Sequence, residues 1–450
     1  MLKALPLVSH TAPDSIVAWC KTGPVTLRQF LTDVSQLAAQ LLPGRHLLNL
    51  CRDRYHFSVG LAAAITTEKV SLLPATHTPE MATQLLAYAP DTFCLTDNET
   101  CALALPQLQY PTRLDTPNNT CKVPAINENQ LIATVFTSGS TGTPLPHNKT
   151  WGALVQCVKT EAKRVGLLDE SITPTTLIGT IPPQHMYGFE SSVLMAWQSG
   201  HALSHTHPFY PVDICQAIAE APQPRMLVST PVHLRALLDA ELNIPTTACV
   251  LSATAPLSSA LAVEIETRCK APLVEIYGST ETGEIATRRT TSTSEWHLFD
   301  GISLTKRDGD VFADGGHIAS ATKINDQIEF VSDTHFLLHG RLTDMINIAG
   351  KRHSLASLNH QLTSIPGVLD GTFYMPSEEN HTHITRLAAF VVSTPEIGTK
   401  QILAALRKHL DPVFIPRPLW FVDKLPRNST GKLPRPMLQD LYNKQRNVRK

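Results

Sequence analysis

Apolar residues at Leu27, Phe30, Leu31, Val34, Leu37, Ala38 and Leu41 recur at spacings of three and four, the stripe of an amphipathic helix. A short apolar run follows (HLLNLC), then a helix-like stretch (FSVGLAAAITT), a run (VSLLP), a helix candidate (PEMATQLLAYA) and another run (TFCLTD). The alternation resumes at LIATVF, TTLIGTI, MLVST, ACVLS and LVEIY, with helical spacing around residues 231–240 and 257–269. Short apolar runs separated by helical stretches predict βαβ units and a largely parallel sheet. After about residue 340 the order changes. Strands at MINIAG, GTFYM, LAAFVVS and LWFVD interleave with helices near 355–364 and 399–410, which predicts a small α+β domain appended to a larger α/β one.

Composition narrows the class. A chain of 450 residues holds two or three domains, and 42% hydrophobic with 17% charged residues is ordinary globular material. Lys plus Arg number 38 against 39 Asp plus Glu, so there is no electrostatic reason to expect nucleic acid or an anionic membrane as partner. No apolar run approaches the ~20 residues that span a bilayer, and the first residues lack a secretory signal. A soluble, cytoplasmic protein is expected. The nine cysteines show no C-x-x-C spacing and are expected to be reduced thiols. His201, His205 and His207 fall close together, in what reads as a polar strand or loop rather than a metal site.

Four stretches carry candidate chemistry. TVFTSGSTGTP, residues 134–144, runs an apolar strand into Thr137, Ser138, Gly139, Ser140, Thr141 and Gly142. Small hydroxyl residues between glycines let backbone N–H groups turn toward an anion, which is how a loop holds phosphates. A surface loop has the same composition. LVEIYGSTETGE, residues 273–284, again ends a strand in small hydroxyl residues, with Tyr277 and Gly278 before them and Glu281 after. An aromatic ring there can stack on a purine, and a carboxylate beside a phosphate loop can hold Mg²⁺. An edge-strand tyrosine near a turn reads nearly as well. In residues 324–352 Asp326 precedes Gly340 and Arg341 by 14–15 residues, across alternating apolar positions. An aspartate at a sheet edge can accept two hydrogen bonds from a ribose diol. LPRNSTGKLPR, residues 425–435, sets Lys432 on a glycine-bearing turn, as a solvated tail also would.

In order and spacing these stretches resemble the adenylate-forming superfamily of acyl- and aryl-CoA ligases, carrier-protein adenylation domains and luciferases, from about residue 10 to 436. TSGSTGTP looks like the family's phosphate-binding signature and PPQHMYGFE (182–190) its gate to the acid pocket. SATAPLS (252–258), with Ala253 and Thr254, looks like its adenine wall, and YGSTETG (277–283) its second nucleotide motif. The resemblance implies a large N-terminal α/β domain, residues 1–341, with mixed sheets flanked by helices, and a small mobile C-terminal α+β lid, residues 342–450. It implies two half-reactions: a carboxylate attacks the α-phosphate of MgATP and releases pyrophosphate, then a phosphopantetheine thiol takes the acyl group. That thiol belongs to CoA or to a carrier protein. By the same resemblance, Thr280 and the phosphate loop hold phosphates, Glu281 the Mg²⁺, Asp326 the ribose and Tyr277 the adenine face. Gly340 and Arg341 form the family's "GR" pair, His185 gates the acid pocket, Lys432 meets the α-phosphate and Gly350 lets pantetheine pass.

The chain also departs from the pattern. Leu145 stands where a lysine usually follows the phosphate loop, with Lys149 the nearest candidate to supply the charge. Thr343 replaces the hinge aspartate, and Ala253–Thr254 replaces a glycine pair. His185 also reads as a hydrogen-bonded loop histidine. No acidic residue stands out to bind an ammonium group, and an aromatic, uncharged lining suits an aryl or unsaturated acyl acid. These departures point to a divergent branch, like the small aryl-acid ligases of aryl-polyene pathways. A non-catalytic nucleotide-binding protein of the same fold is the alternative; the joint presence of Glu281, Asp326 and Lys432 weighs against it.

Overall fold

The computed structural model describes residues 3–74, 76–99, 103–111, 121–138, 144–169, 171–341, 345–348, 351–376, 386–427 and 433–448. The first apolar runs form a parallel sheet in the order Leu131–Ser138, Val70–Leu73, His46–Asn49, Phe93–Thr96. Pro144–Thr150 joins its edge antiparallel to Leu131–Ser138, and Gln107–Gln109 closes the far side. A second sheet has a parallel centre in the order Leu273–Ser279, Cys249–Ser252, Arg225–Ser229, Thr176–Gly179, Ala202–Ser204, Ile16–Cys20. Beyond Leu273–Ser279 it continues antiparallel through Gly283–Arg288, Trp296–Leu298, His335–Arg341 and Asp326–Phe330. The largely parallel sheet expected from periodicity is therefore mixed. Helical crossovers give parallel neighbours, and the short turns after residue 279 return the chain as hairpins.

Helix Arg54–Thr66 is buried on nearly every side. A helix that is apolar all round needs cover all round, and this one packs on strands of both sheets, 46–49 and 70–73 in one and 202–204 in the other. Asp53 caps its start, accepting from the Tyr55 and His56 N–H groups. Helix Leu27–Gln40 buries the stripe seen in the sequence, and its Phe30 meets Trp197 at 5.6 Å between ring centroids. One apolar cluster runs through these helices and both sheets. The 201–207 histidines lie on a short strand and the loop after it, more buried than a polar segment suggests. Ala202–Ser204 is a buried strand, His201 bridges the Thr175 N–H and the Leu167 carbonyl, and His205 binds Asp53.

From residue 345 the elements follow the expected order: Met345–Ile348 against Lys351–Ser354, helix Leu355–Thr363, then strands Val368–Tyr374, Ala388–Ser393 and Leu419–Phe421 with helix Thr399–His409. They bury apolar clusters of their own. Two features escaped the periodicity. A meander of Ile302–Arg307, Asp310–Gly315 and Ile318–Ile324 carries many polar residues, and helix Arg435–Val448 follows the 425–435 stretch without a strong apolar period of its own. That helix has few apolar residues, but Leu438, Leu441 and Tyr442 are spaced to cover Trp420 and Tyr374. Among the described residues no helix is long and apolar enough to cross a membrane.

Trp197 and Phe30 lie fully buried where the helices meet. Trp197→Ala is expected to cost about 3–5 kcal/mol, read as a lower urea midpoint with an unchanged slope.

Candidate active site

The phosphate-type loop leaves the edge of the smaller sheet. Ser138 pairs with Pro144 and Thr137 with Leu145, so the candidate loop joins two antiparallel strands. Gly139, Ser140, Thr141 and Gly142 lie outside the described residues. Alternation along Pro144–Thr150 puts Leu145, His147 and Lys149 on one face. Leu145 is 53% exposed and Lys149 only 9%. The Lys149 ammonium donates to the Thr280 carbonyl at 2.6 Å. His147, which sequence reasoning missed, shares a 2.8 Å hydrogen bond through Nε2 with Thr137 Oγ1 and stands 3.9 Å from Glu281 Oε1. Burial holds its pKa below the ordinary value, against the pull of Glu281.

Thr280 and Glu281 sit on the turn between Leu273–Ser279 and Gly283–Arg288. Ser279 pairs with Gly283 and Gly278 with Glu284. The turn is tight enough that a Cβ on Gly278 would lie 2.3 Å from the Gly283 carbonyl oxygen. Ser279 and Thr282 bond each other across it, and His317, pushed down to about 4 by burial, bonds the Thr282 carbonyl from behind. Glu281 itself is exposed. Among the described residues no three His, Cys, Asp or Glu groups gather to hold a metal. One open carboxylate beside hydroxyls suits Mg²⁺ carried largely by substrate phosphates.

Tyr277 and Asp326 meet. The Tyr277 hydroxyl donates to Asp326 Oδ2 at 2.6 Å, while its ring packs on Trp296 and Phe336. Asp326 pairs with Arg341 and Gln327 with Gly340 across one hairpin, so the 15-residue spacing is a cross-strand contact. Gly350, Thr343 and Lys432 lie outside the described residues.

Ala253 and Thr254 follow strand 249–252, the parallel neighbour of 273–279. Thr254 has φ of +77°, and its Oγ1 is buried without a partner among the described residues. A β-branched residue is strained there. His185 is half-buried and caps the next turn, its Nδ1 accepting from the Tyr187 N–H at 3.3 Å. Gln184 ties this segment to the carbonyls of Asn49 and Cys51. Phe189 then begins a buried π-helical turn, Phe189–Leu194, continuous with Met195–Ser199.

Against the expectation that no acidic residue stands out, Glu161, Glu190 and Glu284 are all buried. They come from helix Trp151–Arg164, the π-helical turn and strand Gly283–Arg288, which pack on one another. Ser191 donates to Glu284 Oε1 at 2.7 Å. Burial pushes all three carboxyls up, Glu190 to about 8; Glu161 raises Glu284 further and Glu284 raises Glu190, while hydrogen bonds with Glu284 and Ser191 pull Glu161 back. One signal was legible: Glu161 falls on the helix's apolar stripe with Leu154, Val158 and Ala162.

Two mixed sheets, linked by Lys149 on the edge strand of one and the Thr280 turn of the other, with a tyrosine–aspartate pair beside that turn, define the adenylate-forming fold. The model of the AMP-binding enzyme family matches residues 10–304, and the chain belongs to that family. It is 29% identical over 313 residues to the 4-coumarate–CoA ligase of Halorhodospira halophila, covering 67% of this chain and 74% of that one. The 4-coumarate–CoA ligase of Rhodobacter capsulatus is 28% identical over 302 residues, 66% and 73% of the two chains. An o-succinylbenzoate CoA synthetase from Bacillus subtilis, solved with its acyl-adenylate, matches with a TM-score of 0.79 over 98% of this chain and 99% of that one. At 18% identity that likeness is one of fold.

Two outcomes are expected. Thr254→Gly removes the left-handed strain and should stabilise the protein by about 1 kcal/mol, seen as a raised Tm. For Glu190, the folded chain keeps its proton between the ordinary value of 4.5 and about 8, where the unfolded chain has released it. Stability contributed by this group therefore falls as pH rises through that window. The Tm of Glu190→Gln minus that of the parent should grow from pH 5 to 8; a flat difference would mean the buried carboxyl is ionised throughout.

Proposed function

We propose that the chain is an ATP-dependent acid–thiol ligase, which converts a hydrophobic or aryl carboxylic acid to its acyl-adenylate and then to a thioester. The observation that carries this reading is the joining of Thr137 (through His147) and Lys149 to the Thr280–Glu281 turn, which begins three residues after Tyr277 of the Tyr277–Asp326 pair. Two hydroxyls, a lysine and one open carboxylate gather around the 279–283 turn, and the Tyr277–Asp326 hydrogen bond lies on the strand that leads into it. Membership of the AMP-binding family and likeness to relatives named as CoA ligases support it.

In the first half-reaction a carboxylate oxygen of the acid bonds to the α-phosphorus of ATP as the bond to the pyrophosphate oxygen breaks. Thr137, Thr280 and the 138–142 loop hold the phosphates in line, and Asp326 fixes the ribose with Tyr277 and Gly278 along the base. Glu281 would hold Mg²⁺, which when bound offsets charge on the phosphate oxygens. Lys149 keeps the Thr280 turn against the Pro144–Thr150 strand. Lys432 brings a cation to the α-phosphate as charge develops there, an interaction strongest in the transition state. In the second half-reaction a thiolate attacks the acyl carbon and AMP leaves. Residues 1–341 act as the nucleotide-binding domain and 342–450 as a lid that withdraws Lys432 and opens a path for pantetheine past Gly350. CoA is the favoured acceptor, in a cytoplasmic setting, with a carrier protein's phosphopantetheine the variant reading.

Pyrophosphate release on mixing protein, ATP, Mg²⁺ and a panel of carboxylic acids tests the reading directly. Lys432→Ala should lower that release by about 10²–10³, while thioester formation from supplied acyl-adenylate persists. Equal loss of both half-reactions would make Lys432 a structural residue.

A further inference from the structure

The carbonyls of Thr280, Thr282 and Glu284 are each held by a side chain from a different part of the chain. Lys149 on strand 144–150 donates to the first at 2.6 Å, His317 in the meander to the second at 2.9 Å, and Cys157 on helix 151–164 to the third at 3.7 Å. A carbonyl only accepts, so His317 carries its proton on Nε2 and leaves Nδ1 bare. Burial first, and Lys149 nearby, push its pKa down to about 4, so the ring is neutral at pH 7. It also stands tight against the turn. A Cβ on Gly283, whose φ is +70°, would lie 3.1 Å from His317 Nε2.

A pinned carbonyl fixes its whole peptide plane, because the unit is rigid and trans. The planes after Thr280 and after Thr282 are both fixed, with the Glu281 carbonyl plane between them. Within the turn, Thr282 Oγ1 accepts from the Ser279 N–H at 3.1 Å, and Ser279 Oγ accepts from the Thr282 N–H at 3.2 Å. The Glu281 side chain itself has little support. It is 39% exposed, and among the described residues its one basic neighbour at ion-pair range is His147, at 3.9 Å. Its direction is therefore set by the backbone of the turn. The meander carries the contact onward. Strand Ile318–Ile324 starts one residue after His317 and ends two before Asp326, which accepts from the Tyr277 hydroxyl at 2.6 Å. Residues 317–326 thus hold the hairpin on both sides of Thr280 and Glu281. Ile318 and Ile324 are buried in one apolar cluster with Ile285, Trp296 and Phe336, so neither hold can slide without opening that core.

We propose that His317 is a positioning residue for adenylation. Through the Thr282 carbonyl it holds Thr280 and Glu281 at a fixed distance from the Tyr277–Asp326 pair, so that the phosphate end and the ribose end of one nucleotide are met together. This rests on the ligase reading above. The role needs a neutral donor at the Nε2 position. A glutamine amide can place an N–H there, an asparagine amide is one methylene too short, and alanine has no donor.

The test compares the parent with His317→Ala, His317→Gln, His317→Asn and Val311→Ala, the last a core residue of the same meander. Three quantities are measured: pyrophosphate release with a panel of carboxylic acids, the calorimetric Kd of MgATP, and Tm. His317→Ala should lower kcat about 10- to 100-fold, the effect of a misplacement near 1 Å. It should raise the Kd of MgATP about three- to tenfold, as loss of one hydrogen bond does, and leave KM for the acid unchanged. His317→Gln should regain most of both losses and His317→Asn little. Val311→Ala should lower Tm while keeping the parent's kcat and Kd. If His317→Ala does not fold, the glutamine and asparagine variants give the same comparison. Parent-like kcat and Kd in His317→Ala would overturn the proposal and leave the ligase reading intact. Equal losses in the glutamine and asparagine variants, or in Val311→Ala, would make His317 a structural contact and overturn it too. No pyrophosphate from the parent with any acid would remove the ligase reading, and this role with it.

Discussion

Lys149 and Thr280 are 131 residues apart and stand on different sheets, yet one 2.6 Å hydrogen bond joins them. Lys149 lies on the edge strand beside the candidate phosphate loop, and Thr280 on the turn that carries Glu281. A nearly buried ammonium must find an acceptor, and the one it finds is a backbone carbonyl, which cannot swing away as a side chain can. The placement of the Thr280 turn against the Pro144–Thr150 strand therefore follows from a desolvation requirement. His147 adds to the joint from the same face, bonding Thr137 and approaching Glu281.

A second buried cation joins the sheets elsewhere. Arg54 opens the central helix and is fully buried, with no salt bridge among the described residues; it donates to the Gly179 and Ile181 carbonyls and to Ser192 Oγ. Burial lowers its pKa to about 10, far enough above neutrality that the charge persists. Its acceptors flank the segment holding His185 and Tyr187, so that segment and the 279–283 turn are each anchored by one long cationic side chain. Gly188 completes that anchoring, since a Cβ there would lie 2.2 Å from the Pro182 carbonyl oxygen.

Local rules are broken where these anchors converge. Thr254 holds a left-handed backbone, the chain after Gly188 winds as a π-helix, and carboxyls occupy core positions. Such conflicts between local preference and global fold concentrate at functional sites, where the rest of the structure over-determines them. The extensive apolar cluster linking both sheets supplies that surplus here.

Much of this was written in the chain. The strand runs, the helix stripes, the two turns and the Asp326–Arg341 spacing depend on a period of two or 3.6 residues and on turn chemistry, which act over a few neighbours. They singled out Thr137, Tyr277, Glu281 and Asp326 as candidates without reference to the fold, and Thr280 came from the family resemblance. The helix at 435–448 and the 302–324 meander were missed because their apolar residues are too sparse to fix a period, and only the surfaces they cover give those residues meaning. His147, His317 and the three glutamates were missed for a different reason. Each is an unremarked polar residue within its own segment, apart from Glu161 on an apolar stripe. Their environment is made by segments far away in the chain, and burial, proton affinity and hydrogen-bond partners exist only once those segments have packed.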